Sequence, residues 1–289
     1  MENATKALLI AAGVMIAVMI LSLLLIGYNQ ISDYYNKQHE STEVDQLTKF
    51  NSKFENYHRN KIRGSDMISL MNRVIDYNTN ESYQAGTNYE RIGVTIDLKS
   101  NSVINQFKYD KNDASDATIL NNTIINSSYE ITNKSGKNID NDNKLTAITG
   151  AENKLMQSLN SLGVSNPSSS QLQSLASNIS NIMIEDNDQP TELWQVRNTK
   201  IKNRQKRAEL IKRVLNIDIT YSDEETAVAN SSSQDKINEI KKIALQYYQY
   251  IQFKRAYFDC TEVKYDEKTG RVCEMNFEVR TNGGNVEFN

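Results

Sequence analysis

Arg197, Lys200, Lys202, Arg204, Lys206, Arg207, Lys212 and Arg213 form the densest run of like charge in the chain. Side chains of this type, so closely spaced, could hold an anionic polymer or a lipid surface, with Arg197, Lys200, Arg204, Lys206 and Arg207 as the contacts. The competing reading is the solvated face of an amphipathic helix over residues 191–215, with Val196, Ile201, Ala208, Ile211 and Leu215 turned inward. Trp194 is the one aromatic nearby, so nucleic-acid binding lacks stacking partners. A formal net charge of −3 supplies no general attraction for nucleic acid either.

Other chemistry-bearing groups are sparse. There are only two histidines, His39 and His58, both in the juxtamembrane stretch, which makes a catalytic triad or a His-metal centre hard to build. Asn138, Asp140 and Asp142 resemble oxygen ligands of a calcium loop. Thr149 stands where the bidentate Glu of such a loop belongs, and Asn143 where its turn Gly belongs, so this is read as a solvated polar loop. No Walker loop, dinucleotide fingerprint, Gly-x-Ser-x-Gly or His-Glu-x-x-His occurs. The expectation is a non-enzymatic chain without cofactor, metal site or catalytic residues. A carboxylate-based envelope hydrolase is the remaining enzymatic alternative, because acidic residues are plentiful.

The strongest element is Ala7 to Gly27, an uncharged apolar run. At about 1.5 Å per residue it reaches roughly 30 Å, the thickness of a hydrocarbon core. Tyr28 follows at the place of an interfacial aromatic. The segment ends in Leu-Ile-Gly-Tyr-Asn-Gln, a poor signal-peptidase site, and no Cys follows for lipidation. A signal-anchor in the cell membrane is therefore expected. Lys6 on the short flank, against the balanced pair Asp33 and Lys37 on the long one, puts the N-terminus in the cytoplasm and residues 29–289 outside.

Beyond the anchor, Val44, Leu47, Phe50, Phe54 and Tyr57 recur at spacings of three and four, which continues a helix and gives it an apolar stripe. The stripe packs on the chain's own domain or on a partner helix. Gly64 is expected to end that helix, with Ser65 capping the next, whose stripe is Met67, Leu70, Met71, Val74 and Ile75. Residues 92–98 alternate and are β-branched, as a strand does, and 119–131 has room for another. Helical spacing returns at 149–162, 168–183, 191–215 and 234–254, with an acidic, then Ser-rich, loop at 221–233. Four regions follow: an anchor at 1–28; a juxtamembrane helix, second helix and strand at 29–100; an Asn/Ser-rich elaboration at 101–190; and two helices with a β-hairpin at 191–289.

That hairpin spans Tyr257 to Val279 and turns on Glu267-Lys268-Thr269-Gly270-Arg271, with Gly270 in the left-handed position. The register sets Tyr265 opposite Cys273, Val263 opposite Met275, Thr261 opposite Phe277 and Lys264 opposite Glu274. Cys260 would face Glu278, which puts Cys260 and Cys273 on opposite faces and argues against a disulfide unless a bulge shifts the register. The fold class is α+β: a long N-terminal transmembrane helix, then a mostly helical domain with a small antiparallel sheet and a C-terminal β-hairpin.

The residues Lys6-Ala-Leu-Leu-Ile-Ala-Ala-Gly13, Phe50-Asn51-x-x-Phe54-x-x-Tyr57 and Gly64-Ser-Asp-Met-Ile-Ser-Leu-Met-Asn72 resemble a family of uncharacterised single-pass membrane proteins of low-GC Gram-positive bacteria. Phe253-Lys254-Arg255-x-Tyr257-Phe258-x-Cys260-Thr261-Glu262-Val263 and Thr269-Gly270-Arg271 fit the same resemblance, which does not extend over 100–190. It implies a membrane-bound envelope protein and no site residues. The general plan also resembles that of type IV pilins and pseudopilins. It departs from them in having no basic leader ending in a small residue before the apolar segment, and no Glu at the fifth position of that segment. The expected role is structural: a component of a surface or secretion apparatus, with the bilayer and envelope proteins as partners. The alternative is a tethered module that binds anionic wall polymer through 191–215.

Overall fold

A computed structural model describes residues 2–78, 91–109, 128–131, 148, 150–183, 192–220 and 231–289, without the side chains at 39, 40, 128–131, 193, 196, 197, 200 and 231. The chain divides into two compact units, Met1–Asn56 with Lys268–Arg271, and Tyr57–Glu267 with Val272–Asn289. The polar loop at 138–145 with Thr149, and residues 119–127 and 221–230, lie outside the described residues.

The first unit is built on α1 (Glu2–Glu55), an unbroken helix of 54 residues. No proline interrupts it. Leu, Ala, Met and Ile carry its apolar part and straight-chain polar residues much of the remainder, a composition that favours helix throughout. The apolar run and the downstream stripe are thus one element, as their periodicity implied. The helix stops at Glu55, so Tyr57, the last residue of the expected stripe, falls beyond it in the second unit.

The second unit opens with β1 (Ile62–Arg63) and α2 (Gly64–Asp76). Gly64 was expected to end a helix with Ser65 as cap; instead Gly64 is the first helical residue and Arg63 the N-cap. The reason is a close approach. A Cβ on Gly64 would lie 1.7 Å from the Phe253 carbonyl oxygen, so only glycine fits. Met67, Leu70, Met71 and Val74 are fully buried.

β2 (Gly93–Asp97) follows, then α3 (Asn101–Ile104) and a single 3₁₀ turn at Asn105–Phe107. Ile92, Val94, Ile96 and Leu98 show no exposure, the period of two that defines a strand face. Asn78 is buried, and its amide both accepts from Ile92 N and donates to Ile92 O, each at 2.8 Å. This copies a strand pairing and fixes the start of β2 to the end of α2. β3 (Ser128–Ile131) lies antiparallel to β2.

α4 (Ala151–Ser161), α5 (Ser169–Ser177), α6 (Ile179–Ile182) and α7 (Leu193–Leu215) precede α8 (Ser231–Arg255). Gln171 ties this layer together: its Oε1 accepts from Ser168 N at the start of α5, and its Nε2 donates to Val214 O in α7. α8 is the hub, touching α2, α4, α5 and α6. Ile237, Ile240, Ile243, Ala244 and Phe253 on it are fully buried. Leu155, Leu159, Leu172, Leu175, Ile179 and Ile182 are buried in the helices around it. The polar stretch 101–190 therefore contributes directly to the core.

β4 (Tyr257–Tyr265) and β5 (Val272–Val279) form the hairpin, and the five-stranded sheet runs β1-β4-β5-β2-β3. β2 and β5 are parallel and the other pairings antiparallel, so the sheet is mixed where an antiparallel one was expected. Val263–Met275 and Lys264–Glu274 pair as the alternation implied. Register breaks between Cys260 and Glu262 and between Lys264 and Tyr265 set Cys260 opposite Phe277 and Tyr265 opposite Val272. Thr261 is the extra residue of the first bulge, its hydroxyl donating to Asn276 O at 3.0 Å.

The cysteines are free, for a different reason than the expected one. With the bulge, Cys260 and Cys273 share a face but lie four residues apart along β5, about 13 Å at roughly 3.3 Å per residue. A last small hairpin, β6 (Thr281–Asn282) and β7 (Asn285–Val286), turns on Gly283 and Gly284, both at positive φ.

Candidate membrane helix and charged surfaces

The large apolar side chains between Leu8 and Ile26 are each 53–75% exposed. A soluble helix of this composition would be covered by its own domain. None of the described residues covers it here, and the helix is long and apolar enough to cross a membrane. A signal sequence passes the same test of length and composition. Within the run, the hydroxyl of Ser22 donates to Val18 O at 2.8 Å, so its one polar side chain is satisfied inside the helix, as hydrocarbon demands.

The far end of α1 holds the hairpin tip 268–271. Asn51 Nδ2 donates to Gly270 O at 2.9 Å, and the Arg271 guanidinium lies 4.7 Å from the centre of the Phe50 ring. Phe50 in turn stacks at a tilt on Phe54, with centroids 5.3 Å apart. Gly270 takes φ +67°, and a Cβ there would meet Leu47 Cδ2 at 3.2 Å. The left-handed conformation favours glycine, and a side chain there would also crowd Leu47. Of the expected stripe, Leu47, Phe50 and Phe54 line this clasp, whereas Val44 is 61% exposed. The clasp residue missed by pattern was Asn51, a buried amide between two buried phenylalanines. Its signal was the polar interruption of an otherwise apolar stripe.

On α7, Lys206 is exposed and Arg204 and Arg207 are half-buried; the side chains of Arg197 and Lys200 lie outside the described residues. The helix buries Leu210, Ile211 and Leu215 and stops at Asn216, a left-handed cap. Beside it is an open hollow of about 850 Å³, lined by Lys206, Lys212 and Arg213 but also by Glu209 and Asp218. Lys212 Nζ is 2.8 Å from Asp218. The described surface here is of mixed sign.

Among the described residues, two basic side chains are each shared by two carboxylates. Glu262 and Glu274 both reach Lys264, at 3.2 and 2.9 Å. Asp259 and Glu287 both reach Arg280, at 3.0 and 2.8 Å, and Glu287 also meets Lys61. Lys61 and Arg280, through their hydrogen bonds, hold the Glu287 carboxyl below the usual carboxylate range. This set lashes residues 280–287 to the edge of the sheet, and Arg255 donates twice to Asn289 O nearby. Asn289 N in turn donates to Arg255 O. Both sets lie at half-buried to exposed positions and tie neighbouring segments together, a structural use of charge.

A third polar group lies in the helical layer. The Tyr250 hydroxyl donates to Glu152 Oε2 at 3.4 Å, and the Ser169 hydroxyl donates to Glu152 Oε1. Burial first, then the adjacent Glu152 charge, push Tyr250 up to about 12 and raise Tyr247 as well. The group staples α4, α5 and α8. Among the described residues no cluster of His, Cys, Asp and Glu is arranged to hold a metal. Comparisons with protein-family models, curated proteins and solved structures find no match for this chain.

Proposed function

We propose that this is a non-enzymatic, single-pass protein of the cell membrane. In this reading residues 7–27 cross the bilayer, the N-terminus is cytoplasmic, and residues 29–289 form an extracytoplasmic structural or assembly component of a pilus-like surface or secretion apparatus. The observation that carries the reading is the continuity of α1. One helix of about 80 Å, at 1.5 Å per residue, holds an exposed apolar run in its first half and a side-chain clasp near its end. A tether needs only a flexible link. A helix kept unbroken well beyond the apolar run presents one continuous face to a partner, which is what an assembly component requires. The mixed sign of the hollow beside α7 favours this reading over wall-polymer binding.

The test is crosslinking in intact cells, followed by purification of the detergent-solubilised full-length chain and mass spectrometry. Discrete, reproducible protein partners from the membrane fraction are expected. Recovery without any partner, or residence outside the membrane fraction, overturns the proposal.

A further inference from the structure

We infer that α1 pairs with α1 of a second copy of this chain, in parallel, along the face that carries Gly13, Ala17, Leu24, Ile31, Tyr35 and Gln38. The inference rests on the membrane-anchored reading above and names its partner. At 100° per residue, Ile10, Gly13, Ala17, Ile20, Leu24, Tyr28, Ile31, Tyr35, Gln38, Thr42 and Gln46 fall within about 80° of arc. No formal charge occurs on that face from Ile10 to Gln46. The charges of that span, Asp33, Lys37, Glu40, Glu43 and Asp45, lie elsewhere on the helix, Asp45 about 20° beyond the edge of the face.

Charge is what selects a second copy as the occupant. A single-pass anchor delivers every copy in the same direction and at the same depth. In a parallel pair each residue then meets its own counterpart, so any charge on the seam would meet a like charge. A seam without charges across some ten helical turns suits that one partner. Where charge returns, at Lys49, it is held by Asp45 at 2.6 Å.

Space and spacing agree. The clasp occupies the sector of Leu47, Phe50, Asn51 and Phe54, roughly 120° round the helix at 100° per residue, and leaves the seam open. Ile31 and Tyr35 lie beyond the apolar run and are 58% and 66% exposed. Tyr35, Gln38, Thr42 and Gln46, with Glu43, line an open hollow of about 350 Å³, room for a side chain from a facing helix. From Leu24 to Thr42 the spacing runs four, three, four, three, four, the repeat of a left-handed two-helix seam. Gly13 and Ala17, four apart, allow close approach of backbones where lipid gives no hydrophobic drive. Gln38 on the seam can exchange amide hydrogen bonds with its own copy and so fix the register.

The experiment uses full-length chains in native membranes, each with one introduced cysteine, oxidised and run without reductant beside the unsubstituted chain. Gln38→Cys and Thr42→Cys should give a species of twice the chain's mass, at least fivefold above Asp33→Cys and Lys37→Cys. A separate Tyr35→Glu substitution on the Gln38→Cys background should abolish that species while the protein stays in the membrane fraction. Equal yields from both faces, no dimer from Gln38→Cys, or a conjugate with a different protein overturns the pairing and leaves the anchored reading standing. Loss of all chains to the soluble fraction overturns both.

Discussion

α1 and α8 are the two longest helices described, at 54 and 25 residues, and they treat apolar side chains in opposite ways. On α8, Ile237, Ile240, Ile243 and Phe253 have no exposure, because α2, α4, α5 and α6 surround them. On α1, Leu8 to Ile26 stand bare. The two differ in apolar content and in pattern: α8 interleaves its apolar residues with Lys, Gln and Glu, so a protein core can cover one stripe, whereas residues 7–27 are apolar all round. One helix is completed by its own chain; the other is long and apolar enough to cross a membrane.

The largest effect should come from giving α1 the polarity that α8 has. Val18→Arg with Leu21→Arg costs about 5–7 kcal/mol of insertion, at about 2.5–3.5 kcal/mol per central arginine. The chain should move from the carbonate-resistant pellet to the supernatant. Retention in the pellet would show that 7–27 is not the anchor. The reciprocal change removes covered apolar volume from α8. Phe253→Ala should lower the urea stability of the second unit by roughly 3–5 kcal/mol, measured on the full chain in detergent, and leave membrane residence unchanged. Gly64→Ala attacks the same contact from the other side, since its new Cβ overlaps the Phe253 carbonyl. It should cost about 1–3 kcal/mol or more.

The same contrast explains what was legible in the sequence. Features encoded by local period could be read: the apolar run, the strand at 93–97, the helices near 193–215 and 231–255, and the tight turn at Gly270. Features set by a distant partner could not. Gly64 looks like a helix breaker until Phe253 O is seen beside it. The hairpin register was right at Val263 and Lys264 and wrong at Cys260, because one extra residue, Thr261, shifts parity without changing the alternation around it. The parallel pairing of β2 with β5 leaves no local mark at all. Among the candidate surfaces, the stripe of α1 was visible as a stripe, but its occupant, a loop more than two hundred residues downstream, was not.

The clasp is the intermediate case, an apolar stripe completed by polar groups. Asn51→Ala removes the hydrogen bond to Gly270 O, worth roughly 0.5–1.5 kcal/mol. If the tip is cut only when released, trypsin should nick the chain after Lys268 or Arg271 faster, on the order of 2- to 12-fold for that loss. Gly270→Ala should act more strongly, because a left-handed alanine costs about 1–2 kcal/mol and its Cβ crowds Leu47. Unchanged nicking in both variants would mean that the tip is not held by α1.

The smallest effect probes the polar staple at the hub helix, where burial and charge act together. Tyr250 titrates near 12 in the folded chain against 10.0 for a free tyrosine. Above the lower value the unfolded chain has lost this proton and the folded chain still holds it. The raised value therefore contributes stability that is fully present below about pH 10 and is lost as pH rises toward 12. Tyr247, raised for the same reasons, adds in the same direction. Tyr250→Phe keeps the ring and removes the proton. At neutral pH it should cost only the long hydrogen bond to Glu152, within about 0.5–1.5 kcal/mol. Between pH 10 and 12 its urea midpoint should fall less steeply than that of the parent chain, by the contribution of one proton. Subtracting the two curves cancels the lysines and remaining tyrosines that titrate in the same range. Parallel curves would show that the Tyr250 hydroxyl is as well solvated when folded as when unfolded, and the staple between α4 and α8 would then be no more than a surface contact.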